Sequence, residues 1–292
     1  MPAGGRATVR SKRLGAALKR YREAAKLDQQ HAADHIVGSK TKISRIEAGQ
    51  VSARPGDVRL MLELYGVEDR EVHTQLEQLA RDSNKRGWWL NSPWPLKPEY
   101  SAFIALETDA TYIRTWEPLF IPGLLQTDNY FRALLGAKPN PLPPEDVEQS
   151  VSIRQARRRT IEEGKTLYAA VIWEPALTAP MPSAVAHREQ LEHIHTMAQQ
   201  QNISIQVLPV SEWRAAHIAS HFVMFSFGPE PMLEAVAFDT TTSTVFIEDL
   251  ADMTRHAQIF ETLRSAALTP DQSLSFLQKA MEGMADTQEE EE

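Results

Sequence analysis

The chain has 292 residues, 42% of them hydrophobic, which is enough for packed cores and argues against disorder. It has no cysteine, so a disulfide scaffold, a thiolate zinc site and thiol catalysis are excluded. The net charge of −8 argues against a nucleic-acid partner, but its distribution reverses that reading. Residues 1–54 hold 12 Lys/Arg against 4 Asp/Glu, a net of +8, while the remaining 238 hold 19 against 35, a net of −16. A basic head on an acidic body is the footprint of a small polyanion-binding module joined to something else, with a solvated basic terminus as the bland alternative.

The N-terminal stretch, Met1 to Arg13, is small and basic with no apolar run behind it, so it does not read as a signal peptide. No segment approaches the ~18 apolar residues of a membrane span. The expectation is a cytoplasmic protein without a membrane partner. Residues 1–8 read as a disordered arm. Leu14, Leu18 and Tyr21 then form one helical stripe, with Lys12, Arg13, Lys19, Arg20 and Arg22 mostly off it. Leu27 closes that helix. Asp28 is placed to cap the next, because its carboxylate can accept from the free N–H groups of a helix start. Ala32, Ala33 and Ile36 continue it. Val37-Gly38-Ser39 is a tight break, and Ser39 caps a third helix, 40–48, whose apolar pair is Ile43 and Ile46. Gly49 stops it, since glycine takes the left-handed conformation cheaply.

Two short helices crossing steeply need a small contact residue, a tight turn and an apolar lock. Ala32 or Ala33 supplies the first, Gly38 the turn, and Ile36, Ile43 and Ile46 the lock. The second helix then presents Lys40, Thr41, Lys42, Ser44 and Arg45 outward. Lys or Arg can donate to guanine O6 and N7, and Thr can bond a base edge or touch a thymine methyl. A helical bundle with an incidental basic face, or a head turned to protein contacts, would share the pattern. Pro55 suits the first turn of a fourth helix with Val58, Leu62 and Tyr65 buried. Val72, Leu76 and Leu79 mark a fifth. The polar stretch from Asp82 to Gly87 ends the head.

Beyond it lie Trp88, Trp89 and Trp94 among Pro93, Pro95 and Pro98, a candidate surface or core cluster. Helical patterns cover 100–115, 127–135, 145–163, 187–201, 251–267 and 271–283. Strand-like runs are Leu167–Trp173, Ile203–Leu208, Phe222–Phe227, Glu234–Phe238 and Thr244–Ile247. Ile121–Thr127 reads as a rigid apolar connection into a helix capped by Thr127. The predicted class is α+β: an all-α five-helix head over 1–86, a mixed α/β domain over 87–284 and an acidic tail over 285–292.

Chemistry is thinly represented. His193 and His195 fall on different faces of a helix, which is poor spacing for a metal. Ser183 and His187 lack a nucleophile-elbow context. Glu107 with Asp109, or Glu174 with Glu189, could form carboxylate pairs only if the fold joined them. Glycine is 13 of 292 residues and no phosphate loop is present. No catalytic residue, cofactor or metal is expected.

The residues Leu27-Asp28-Gln29, Ala32-Ala33, Val37-Gly38-Ser39 and Ile43-Ser44-Arg45-Ile46-Glu47-Ala48-Gly49 resemble the XRE, or Cro/cI-type, helix-turn-helix regulators. The resemblance implies a phosphate contact for Gln29, base contacts for Lys40, Thr41 and Lys42 with Arg45 one turn on, and a pair between Arg22 and Glu47. The turn departs from the family, which usually has glycine and then an apolar residue. Gly87-Trp88-Trp89, Leu106-Glu107, Ile121–Thr127, Tyr130, Arg154-Gln155, Trp173-Glu174, Ala176-Leu177, Arg188–Leu191, Ile205–Pro209, Phe246–Glu248 and Leu263 with Ala267-Leu268 resemble the DUF5753, or Scr-type antitoxin-like, domain of actinobacterial regulators. Two glycines common in that family are missing, around 179–183 and at Ser220-His221. The resemblance implies a homodimeric regulator of a double-stranded DNA operator, often encoded beside a small DUF397-type partner protein. Two alternatives stay open: an antitoxin that neutralises a small partner and regulates its own operon, and a small-molecule-responsive repressor.

Overall fold

The computed structural model describes residues 9–83, 96–137, 142–179, 183–227, 235–239, 243–247 and 249–289. The arm 1–8, the tryptophans at 88, 89 and 94, and tail residues 290–292 lie outside the described residues. So does the expected division after residue 86. Contacts divide the chain into two compact units, Met1–Leu106 and Glu107–Glu292. The class is α+β, with helices first and a mixed sheet after them.

The first unit holds α1 (Val9–Ala24), α2 (Gln29–His35), α3 (Lys40–Glu47), α4 (Pro55–Leu64), α5 (Arg70–Asp82) and the start of α6 (Pro98–Asp109). Each of the first five buries the stripe that its sequence spacing marks: Leu14 and Leu18, Ala32 and Ala33, Ile43 and Ile46, Val58 and Leu62, Val72 and Leu76. Pro55 opens α4, where a missing N–H costs nothing. Asp69 caps α5 by accepting from the Glu71 N–H at 2.8 Å. The tightest packing joins α1 to the end of α3. A Cβ added at Gly15 would fall inside the Ile46 carbonyl oxygen and 2.7 Å from that of Glu47. Gly49 takes φ +65°, and a Cβ there would lie 2.7 Å from the Lys12 backbone nitrogen. The Ser11 hydroxyl donates to the Gly49 carbonyl at 2.8 Å.

The second unit is built on β1 (Tyr112–Glu117), β2 (Leu167–Trp173), β3 (Ile203–Leu208), β4 (Phe222–Ser226), β5 (Ala235–Asp239) and β6 (Thr244–Ile247), in the order β3-β2-β1-β4-β5-β6. The first three strands are parallel; β4, β5 and β6 pair antiparallel. Helices α7 (Asp128–Gly136) and α8 (Pro144–Glu162) lead from β1 to β2. Next come α9 (Glu174–Thr178), α10 (Ala184–Met197) and α11 (Trp213–Ala216), and then α12 (Leu250–Ala266) and α13 (Pro270–Glu289). Trp116, Val171, Leu208, Phe222, Met224 and Val236 form one core with Phe260 and Leu263 of α12. The outer edge of β3 is covered, because Val207 exchanges bonds with the Leu268 N–H and the Ser273 hydroxyl at 2.8 and 3.0 Å.

One expectation is corrected here. Residues 112–115, read as the end of a helix, form β1 in the middle of the sheet. Four of its six residues are buried, so the half-buried alternation that marks a strand is missing. The helix α13 runs on into the acidic tail as far as Glu289.

The predicted connection is rigid for a stated reason. The Gln190 side chain accepts from the Thr127 N–H at 2.7 Å and donates to the Leu125 carbonyl at 2.6 Å. Gln126 donates to the Ile121 carbonyl at 2.7 Å, and Thr127 caps α7 through Tyr130 N–H. Nearby, Arg157 and Glu107 form a buried two-bond pair, each bond 2.8 Å. Glu117 closes β1. Burial and the neighbouring Asp239 carboxylate push its carboxyl up to about 8, against the pull of Arg154.

Gly15→Ala is expected to destabilise the head by about 1–3 kcal/mol or more, because the added methyl meets backbone that cannot move aside. Hydrogen exchange on the full chain should show faster exchange in α1 and α3 with the sheet unchanged; exchange as slow as in the wild type would contradict it. Glu117 yields a pH effect of opposite sign to the usual carboxylate. Its folded pKa of about 8 lies above the ordinary 4.5, so the folded state holds the proton more tightly and stability falls as pH rises between those values. Glu117→Gln should remove that decline in thermal scans from pH 5 to pH 9, and an unchanged decline would exclude Glu117 as its source.

Candidate nucleic-acid interface

The helix-turn-helix is assembled from caps inward. The Asp28 carboxylate accepts from the N–H groups of Gln30 and His31 at 2.8 and 3.0 Å, and these bonds hold it below its ordinary pKa. The Ser39 hydroxyl accepts from the Lys42 N–H at 3.1 Å and starts α3. Ala32, Ala33, Ile36, Ile43 and Ile46 are all buried, as the expected contact and lock. The turn falls at the expected Val37-Gly38-Ser39 break, and its left-handed residue is Val37, at φ +52°. Gly38 lies outside that region, and its missing Cβ leaves room for Ile36, which would otherwise be met at 3.3 Å. The Gly38 N–H closes the turn on the Ala33 carbonyl at 2.7 Å.

A buried ionic network fixes α3 against α1. Arg22 donates to both Glu47 oxygens at 2.6 and 2.9 Å and to the Leu27 carbonyl at 2.8 Å. Gln29 adds a bond to Glu47 at 2.9 Å. The hydrogen bond to Glu47 raises the Arg22 pKa further, outweighing the cost of burial. Tyr65 packs beside the network, and burial pushes its hydroxyl up to about 12.

Sequence-derived site residues fall into three groups. Lys40, Thr41, Ser44 and Arg45 are exposed on the outer face of α3, opposite the buried Ile43 and Ile46. Among the described residues their side chains have no hydrogen-bond or ion-pair partner. Lys42 is turned aside, with its ammonium 2.7 Å from Asp57 of α4. Ser39 is committed to its cap, and the Gln29 amide to Glu47. The Lys42–Asp57 contact is half-exposed and so is weak enough to be exchanged for another anion. No local signal in the sequence marks Asp57, because the contact joins two helices across a loop. Lys19 and Arg20 are exposed on α1, with Arg20 stacked 5.3 Å from the Tyr21 ring centre.

The other chemical candidates are not assembled. Ser183 caps α10, and the fully buried His187 ring bonds the Leu177 carbonyl at 2.7 Å. Glu107 is paired with Arg157, and Glu174 accepts from the Val210 N–H at 2.8 Å. Among the described residues no group of three or more His, Asp or Glu could hold a metal ion, and no helix is long and apolar enough to cross a membrane.

Glu47→Ala would strand a buried guanidinium and is expected to cost about 3–5 kcal/mol in the stability of the head. The double change Arg22→Met with Glu47→Leu should recover most of that loss, since replacing both partners leaves no unpaired charge. Chemical denaturation of the three variants decides it, and a double variant no better than Glu47→Ala would show that the network is not the cause.

Comparison with known families follows the same division. A model described as a helix-turn-helix domain matches residues 13–75. One described as a domain of unknown function, DUF5753, matches residues 100–279. No curated protein and no solved structure matches the chain. Residues 13–75 contain the two capped helices and the Arg22–Glu47 tie, which is the architecture of a DNA-binding regulator. With the second model covering more than half of its length, the chain belongs to the DUF5753 family and carries that domain behind a helix-turn-helix head.

Proposed function

We propose that the chain is a sequence-specific transcriptional regulator in the cytoplasm, acting as a homodimer on a palindromic operator. The observation that carries this is the two-sidedness of α3: one face is locked on α1 and α2, and the other offers Lys40, Thr41, Ser44 and Arg45 to solvent. In the major groove, Lys40 and Arg45 would meet guanine edges and Thr41 a base edge or methyl. Ser39 could donate its hydroxyl and Gln29 its second amide N–H to phosphates while keeping their present bonds, and Lys42 would serve phosphates or neighbouring bases after release from Asp57. The head extends over 1–86. The domain over 87–284 would pair two copies and receive a small partner protein of the DUF397 type or another effector, and family resemblance supports that role.

Lys40→Ala, Thr41→Ala and Arg45→Ala should each weaken binding to a selected duplex by about 1–3 kcal/mol while leaving random DNA less affected. Lys19→Ala and Arg20→Ala should weaken both alike. Fluorescence anisotropy on a duplex selected by the chain from a random pool measures this; equal losses on both duplexes for all five variants would exclude α3 as the reading helix. The dimer has its own test. Footprints should show two half-sites about one helical turn, or a multiple, apart. Sedimentation that finds only monomer, free and on DNA, would contradict it.

A further inference from the structure

One residue of the helix-turn-helix bears two costs with no return in packing. Val37 is 95% exposed, the most exposed of the large hydrophobic side chains described, and its φ of +52° is left-handed. That region is crowded for any L-residue and most so for one branched at Cβ. The chain has a glycine next door, yet Gly38 lies outside the left-handed region. Among the described residues nothing therefore packs against the isopropyl group at 37 in a way that requires it. Backbone held in such a region is a pointer to function.

The position gives that pointer a direction. Val37 stands two residues before the Ser39 cap, at the end of α3 that carries Lys40 and Thr41. A recognition helix enters the major groove with its N-terminal residues against the base edges. The one apolar feature there is the thymine C5-methyl group, which small aliphatic side chains contact. We propose that Val37 is a further specificity-determining residue, which reads a thymine methyl at the edge of the half-site through its own two methyl groups. This rests on α3 being the reading helix. An uncharged contact adds nothing to counterion release, so its loss should alter sequence preference without changing the salt slope.

The test uses the full chain and the duplex that it selects from a random pool. Val37→Gly and Val37→Asn both relieve the left-handed strain, and the head should melt higher by about 2–5 °C. Both should nevertheless bind the selected duplex about 3- to 10-fold more weakly, with an unchanged salt slope. Replacing thymines one at a time by deoxyuridine should reveal a position where the wild type loses that same factor and the two variants lose nothing. If both variants bind as tightly as the wild type, or if no uracil position depends on residue 37, the proposal is overturned. Lys40→Ala separates the two levels. Should it lose affinity while the Val37 variants keep theirs, only this inference falls; should the wild type select no sequence at all, the reading of α3 falls and takes this inference with it.

Discussion

The head depends on how closely the end of α3 can approach α1. An eight-residue helix has no stability of its own in water, so α3 exists only as packed. Gly15 and Gly49 permit backbone to meet backbone, and the Ser11 hydroxyl holds the Gly49 carbonyl. Arg22 and Gln29 then fasten Glu47, the last residue of α3. A buried carboxylate would be costly alone, but two guanidinium bonds and an amide satisfy it. The outcome is directional. With Ile43, Ile46 and Glu47 fixed inward, helical periodicity sends Lys40, Thr41, Ser44 and Arg45 outward together. The exposed polar face of α3 is thus a consequence of its buried face.

Much of this was legible because it is local. Asp28, Ser39 and Thr127 cap the helices that they precede, and Gly49 takes the left-handed turn beyond α3. The strands Leu167–Trp173, Ile203–Leu208 and Thr244–Ile247 have the bounds read from their apolar runs. What escaped is tertiary. β1 follows α6 after two residues and is buried on both faces, so neither a long break nor an alternating pattern separates it from the helical stretch before it. The partners of Lys42 and Gln29 come from α4 and from the far end of α3. Gly38 marks the turn in the sequence, but the left-handed residue is Val37, which no local signal singles out.

The second unit solves a different problem, that of burying polar groups in the helices and connection outside its sheet. Gln190 serves both a donor and an acceptor of the Ile121–Thr127 segment, and Arg157 neutralises Glu107. Gln190, Glu107 and the Ile121–Thr127 segment lie among the residues that resemble the DUF5753 pattern, so part of that pattern is held by these bonds. Glu117 is the exception. Burial and the neighbouring Asp239 carboxylate raise its carboxyl to about 8, against the pull of Arg154. Chemistry in this unit is therefore architectural at Gln190, Arg157 and His187, while the helix-turn-helix belongs to the head.

The most direct measurement is dimethyl sulfate protection on the selected duplex, since this reagent reports guanine N7 in the major groove and adenine N3 in the minor groove in one experiment. If α3 reads bases through Lys40, Thr41 and Arg45, guanine N7 within each half-site is protected by the wild-type chain, adenine N3 is not, and the protection fades in Lys40→Ala and Arg45→Ala. Protection confined to the minor groove, or a pattern indifferent to both changes, would contradict the account.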